Sequence, residues 1–343
     1  MPAINNTIQP LLVGIGEALF DCFPDRRVLG GAPLNLAVHA NALLQRAGGV
    51  GTIVTRVGAD ELGDQLVQSL KGKGLSHEYI QRDSKHSTGA VDVNLDDEGH
   101  AEYAIQENAA WDHLRFDASL AKLAAACGAV CFGTLAQRHP VSRAAIYGFL
   151  DAAPQAIRFL DVNLRKPHYS ASILEQSLNR ATVVKLNEYE LPLVCGMLGL
   201  KPAIGNPPDQ QAHAMIRSFG LDLLALTRGA MGTVIYRDGM RIEGSPVKLQ
   251  RAMGADSVGA GDACSAALVA GLLLGMADQH IADLANRVGA TVAGMPGATP
   301  NLPEELLQEA GLKANVTTQA VSKSTIHTAR SRKGSAAAAT TNL

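Results

Sequence analysis

At 343 residues, with apolar residues at 47% and charged residues at 18%, the chain carries enough hydrophobic material for one large buried core or two small ones. A formal net charge of −2 supplies no basic field to gather phosphate backbones, so nucleic acid is not an expected partner. Five scattered cysteines without a CxxC pair argue against a zinc or disulfide framework and suit reduced thiols in a cytoplasmic enzyme; with no basic-then-apolar opening segment and no apolar run longer than Ala263–Met276, neither a secretion signal nor a membrane span is expected.

Residues 1–10 are expected to be flexible. Leu11–Gly16 reads as a buried strand, Glu17–Leu29 is polar and turn-rich, and Pro33–Arg46 has apolar residues at helical spacing. Strand Gly51–Val57 and helix Asp60–Lys71 repeat the alternation. Thr88–Leu95 and His100–Glu107 then alternate apolar and polar residues about Asp96-Asp97-Glu98-Gly99, the pattern of a β-hairpin. With residues 17–29 this hairpin forms either a small projecting lid, spanning 17–29 and 88–107, or a surface hairpin without a task. Strands at Ala129–Gly133, Ile157–Val162, Thr182–Leu186 and Leu221–Thr227 follow, interleaved with helices at Val141–Ala152, Ser170–Asn179 and Asn187–Leu198. Such alternation implies an α/β fold with a mostly parallel sheet covered on both faces, and ligands beyond the carboxyl ends of its strands. The domain is expected to occupy residues 11–312. Residues 313–343, rich in Ser, Thr, Ala, Lys and Arg, lack the apolar surface to offset ordering and are expected to be a disordered tail.

The stretch Asp256-Ser257-Val258-Gly259-Ala260-Gly261-Asp262-Ala263 is the most informative. A small-residue turn runs directly into a long apolar helix, leaving the first amides of that helix without internal partners at its positive end. This is an anion site suited to phosphate, and Asp262 within the first turn is placed to accept a proton from an attacking hydroxyl. The competing account is a glycine-rich helix start with a capping aspartate.

DSVGAGDA followed by CSAALVAGLLLG resembles the C-terminal signature of the ribokinase-like (PfkB) carbohydrate kinases, and Gly30-Gly31-Ala32-Pro33-Leu34-Asn35-Leu36-Ala37 resembles their N-terminal signature. RVGADELG (56–63), DVNLR (161–165), KLNEYEL (185–191), LTRGAMG (226–232) and PGATPNLP (296–303) match between and after them, so the resemblance covers about residues 11–312. It implies a ribokinase-like three-layer α/β/α fold with a small β lid, ATP and Mg2+ as cofactors, and a sugar as substrate. Asp262 is then the base, beside an anion hole of the Gly259, Ala260, Gly261 and Asp262 amides. Asp21, Gly31 and Asn35 fall at sugar-binding positions, and Arg165 reaches either the substrate or a structural partner. Asn187, Thr227, Gly229 and Gly232 border the nucleotide, Asn286 matches an adenine-facing position, and Glu190 approaches magnesium through water. Asp256 belongs to a loop that holds K+ in this family. Lids in the family pair in some members, so a homodimer is compatible with the pattern.

GGAPLN, DVNLR and PGATPNLP resemble the fructokinase branch, which makes fructose the expected substrate. One departure is that Ile105-Gln106-Glu107-Asn108 offers no arginine on the second lid strand. The alternatives are 2-keto-3-deoxygluconate, another sugar or a nucleoside. Gly14-Ile15-Gly16 lacks the third glycine of a dinucleotide fingerprint, and no GxxxxGK[ST] occurs. A noncatalytic sugar-binding regulator on the same fold is the alternative from another class; it would be free to lose Asp262 and Glu190, which are intact.

Overall fold

The structure is a computed structural model that describes residues 10–23, 26–95, 101–200 and 207–311. The expectations for residues 1–9, for the hairpin turn 96–99 and for the tail 313–343 lie outside the described residues. Strands β1 (Leu11–Ile15), β2 (Leu19–Cys22) and β3 (Arg27–Gly30) lead into α1 (Ala32–Gln45), followed by β4 (Val50–Gly58), α2 (Glu61–Gly72) and β5 (Ile80–Asp83). The hairpin β6 (Gly89–Leu95) and β7 (Ala101–Ile105) precedes α3 (Ala118–Ala126), β8 (Ala129–Phe132), α4 (Pro140–Asp151), β9 (Ile157–Asp161) and α5 (Ala171–Leu178). The last third holds β10 (Val183–Asn187), α6 (Glu190–Met197), α7 (Pro208–Phe219), β11 (Leu223–Thr227), β12 (Thr233–Arg237), β13 (Met240–Glu243), α8 (Ala260–Leu273) and α9 (Asp278–Ala293).

Nine of these strands form one sheet in the order β13-β12-β11-β10-β9-β8-β1-β4-β5. It is parallel from β5 to β11 and antiparallel only at its β12–β13 end. The central strands are continuously apolar because both faces are covered. Val184, Leu186, Leu224 and Leu226 pack in the layer with α3, α4, α5, α6 and α7, whereas the alternate residues Val183, Leu223 and Ala225 pack with α1, α8 and α9. Each fully buried Leu or Val contributes about 1.5–3 kcal/mol of transfer free energy, so the two-sided burial fixes every strand's facing. The result is the three-layer α/β/α architecture.

A separate four-stranded sheet, β3-β2-β6-β7, is built from the turn-rich segment after β1 and the hairpin. β2 pairs antiparallel with β3 and parallel with β6.

Several boundaries differ from the sequence reading for local reasons. The helix expected from Asn187 begins at Glu190, because Asn187 finishes β10 and its Oδ1 accepts the amides of Tyr189 and Glu190, both at 2.9 Å. The strand expected from Leu221 begins at Leu223, since Leu221 still donates to the Ile216 carbonyl as α7 ends at left-handed Gly220. β5, α3 and α7 had no counterpart in the sequence reading; β5 is four residues long and only one of them is buried, too little for a periodic signal.

Candidate active site

A cavity of about 460 Å3 opens beyond the carboxyl ends of the parallel strands, between the main sheet and the four-stranded sheet. Its floor is the start of α8. Gly259 takes φ +77 there, and a Cβ on it would lie 2.4 Å from the Ala298 carbonyl oxygen, so only glycine permits this turn to approach the 297–298 loop. No side chain caps the first turn of α8; the Ala260 amide reaches the Ser257 carbonyl at 3.3 Å, and the positive end of the helix beside the cavity suits an anion. Gly259, Gly261 and Asp262 line the cavity, and Ala260 is the first residue of the helix between them.

Asp262 is the hub of the floor. Its Oδ2 accepts from Asn35 Nδ2 at 2.9 Å, joining α8 to α1 across 227 residues. Burial pushes its carboxyl up to about 6, with repulsion from Asp161 adding to the rise; the Asn35 hydrogen bond and the charges of Lys185 and Arg165 oppose it. A carboxyl tuned to that range is mostly ionised at neutral pH yet basic enough to take a proton from an alcohol.

The expected sugar residues come to one wall. Asp21 on β2, Gly31 and Asn35 at the start of α1, and Arg165 after β9 all line the cavity. Gly31 has φ +108, and a Cβ on it would lie 2.5 Å from the Glu17 carbonyl oxygen. Burial raises the Asp21 carboxyl, and Arg165 counteracts it. Leu19, Val28, Val91 and Ile105 of the small sheet supply an apolar roof.

The expected nucleotide residues gather at the neighbouring strand ends rather than in that cavity. Asn187 and Thr227 are direct partners across β10 and β11. Gly229 and Gly232 turn the chain into β12 with φ +55 and +81. Asn286 of α9 donates to the Ser245 carbonyl at 3.0 Å and packs against Gly232 and Gly244, so one of its two amide hydrogens is taken by the protein.

Glu190 is 8% exposed, and its two carboxylate oxygens accept the amides of Leu164 and Asn187, each at 2.8 Å. Each oxygen keeps a further lone pair, so the group suits an outer, water-bridged contact to a hydrated cation better than direct ligation. Among the described residues no cluster of three or more His, Cys, Asp or Glu is arranged to hold a metal by itself. Asp256 accepts the amides of Val258 at 3.0 Å and Gly297 at 3.3 Å, fastening the turn before α8 to the 296–298 loop.

Five further residues form or brace the site that the sequence reading did not single out. Lys185 bonds both oxygens of Asp161, at 3.1 and 3.2 Å, and Ser265 Oγ donates to Asp161 Oδ2 at 2.7 Å. A Cβ on Gly261 would meet the Lys185 ammonium at 3.5 Å, so a fixed cation stands directly behind the anion turn. Asn163 takes φ +36 at the cavity edge, a backbone state that asparagine tolerates better than most residues. Glu17, just past β1, is 3% exposed and lines the cavity, and its carboxyl is pushed up to about 7 by burial, with repulsion from Asp262 opposing its backbone hydrogen bonds. Lys185, Asp161 and Asn163 lie inside the motifs KLNEYEL and DVNLR, which were the available signal; for Glu17 the only clue was a carboxylate at the end of a buried strand.

An uncapped helix start suited to phosphate, a raised carboxylate in its first turn and a cavity lined by further carboxyls fit a phosphotransferase with an alcohol acceptor. The sequence pattern of the pfkB family carbohydrate kinases matches residues 17–305, and the chain belongs to that family: it is a sugar kinase. A fructokinase of Escherichia coli is 30% identical over 319 residues, 84% of this chain and 95% of its own. Two solved structures share the ribokinase-like fold. A fructokinase of Xylella fastidiosa with bound ATP has TM-score 0.73 at 24% identity, covering 87% of this chain and 98% of that one. A 2-dehydro-3-deoxygluconokinase of Thermotoga maritima has TM-score 0.75 at 18% identity, covering 88% and 99%.

Proposed function

We propose that the chain transfers the γ-phosphoryl group of ATP to a hydroxyl of fructose. The observation that carries the choice of sugar is the charge of the cavity wall. Glu17, Asp21, Asp256 and Asp262 line the cavity against Arg26 and Arg165, and Lys185 is neutralised by Asp161. A neutral polyol offers hydroxyl donors to those carboxyls, whereas the carboxylate of 2-keto-3-deoxygluconate would be repelled by them. The Escherichia coli relative and the ATP-bound Xylella structure support the same pair of substrates.

In this reading Asp21, Gly31 and Asn35 hold the sugar and Arg165 meets its new phosphate. Asp262 takes the hydroxyl proton as the hydroxyl oxygen bonds to the γ-phosphorus and the bond to the bridging oxygen breaks, releasing ADP. The amides of Gly259, Ala260, Gly261 and Asp262 hold the charge on the moving group, with Lys185 behind them. Asn187, Thr227, Gly229, Gly232 and Asn286 border the nucleotide. Mg2+ would arrive with the ATP phosphates and neutralise their charge, and Glu190 would meet its hydration shell. Asp256 and the 296–298 loop would surround K+, which would stiffen the anion turn. The five free cysteines fit a reducing, cytoplasmic compartment, and pairing of the small sheets in a homodimer is part of the proposal.

The test is ADP release in a coupled assay across fructose, other ketoses, aldoses, 2-keto-3-deoxygluconate and nucleosides. Fructose should give the highest kcat/KM. A higher value for the keto acid or a nucleoside overturns the substrate assignment, and sugar binding without ADP release in every case makes the protein a regulator.

A further inference from the structure

Two acceptor atoms on the cavity wall are buried without a protein partner: Glu17 Oε2 and Asn35 Oδ1, both on residues 3% exposed. Leaving such an atom unpaired costs on the order of 1–3 kcal/mol, and more when the group is charged, so both atoms call for a hydrogen-bond donor that the protein does not supply. Asn35 already gives its amide to Asp262, the group that receives the reacting hydroxyl's proton. Glu17 lies on the same side: its backbone carbonyl abuts Gly31, and its carboxyl feels the charges of both Asp262 and Arg165. Glu17 lines the cavity together with Asp21, Gly31 and Asn35, the positions expected to meet the sugar.

We propose that Glu17 is a specificity-determining residue whose Oε2 accepts a hydrogen bond from a sugar hydroxyl other than the one that is phosphorylated. This rests on the sugar-kinase reading of the cavity and adds to it a second carboxyl contact beside Asp21. Two orphaned acceptors flanking one base select a ligand with several hydroxyl donors in a row. A substrate lacking the hydroxyl opposite Glu17 leaves that carboxyl buried and unpaired, and this is how a site discriminates strongly between near-identical ligands.

Glu17→Gln keeps the shape and removes the charge. Its sugar KM should rise at least tenfold while its ATP KM stays within about twofold and its unfolding midpoint is unchanged. The deciding measurement pairs the variant with a series of monodeoxy sugars. For one member the wild type should lose tenfold or more in kcat/KM relative to the parent sugar, and Glu17→Gln should show no such further loss on that member. Equal losses in wild type and variant on every deoxy sugar, or a rise in the KM of ATP in step with that of the sugar, overturn the proposal. Glu17→Asp, which keeps the charge but withdraws the oxygen, should show the same selective loss, and it carries the test if Glu17→Gln does not fold. Calorimetric binding of the same sugars reads the contact without turnover, so a failure of the kinase reading and a failure of this contact give different results.

Discussion

Asp262 works at the balance of opposed influences, and its neighbours show how narrow that balance is. Burial and the nearby Asp161 lift its carboxyl to about 6, while Asn35, Lys185 and Arg165 favour its charge. A general base must be ionised, so kcat/KM should climb as pH rises through about 6 and level off above it. Asp262→Asn should lower turnover roughly a hundredfold or more, abolish that rise, and leave ATP affinity nearly unchanged. Turnover close to wild type, or a variant that does not fold, would remove Asp262 from its role. At this scale the position of Asp262 in the first turn of a helix was legible in one short stretch, because a small-residue turn feeding a helix dictates its own geometry. Its contact with Asn35 was not legible from local pattern, since the two residues meet only when α1 and α8 pack together.

At the scale of elements, the entry to the small sheet depends on Asp60. Its carboxylate caps α2 through the Gly63 amide at 2.8 Å and also accepts the amide of Thr88 at 2.8 Å and its hydroxyl at 2.6 Å. Thr88 in turn receives the Gly58 amide, so one side chain joins the end of β4, the start of α2 and the start of β6. The exit of the hairpin is held by Arg138, which forks onto Asp112 and lies over Trp111. Asp60→Ala should cost about 2 kcal/mol in chemical denaturation, the sum of a lost cap and an unsatisfied buried amide; a loss below about 0.5 kcal/mol would show that the junction is held by other contacts. Burial works against the charge on Asp60, but the hydrogen bonds from Thr88 and Gly63 prevail and hold it below the usual carboxylate range. The stability it gives is therefore present above about pH 4 and is lost as pH falls below that. The helix-capping half of this arrangement is visible in Ala59-Asp60-Glu61; the half that reaches Thr88 needs the folded chain.

At the scale of the whole molecule, the two sheets close on one cavity, and the small sheet gives it an apolar roof. We propose that the small sheet acts as a lid: bound sugar should slow amide hydrogen exchange in residues 89–95 and 101–105 by tenfold or more, because the roof would be ordered by what it covers. Unchanged exchange there on sugar binding would leave the sheet a fixed wall. The sequence by itself determined the layer order, since continuously apolar strands alternating with amphipathic helices have few other ways to bury both faces. It also placed a small-residue turn ahead of the α8 helix with Asp262 in its first turn, a local geometry written in consecutive residues. Only the tertiary structure decided that Lys185 pairs with Asp161 behind that turn, that Asn286 serves the backbone at Ser245, and that Glu17 of the cavity lining is left with an unpaired oxygen. Those outcomes depend on which side chains from distant segments compete for the same partners, and such competition is settled only when the layers pack.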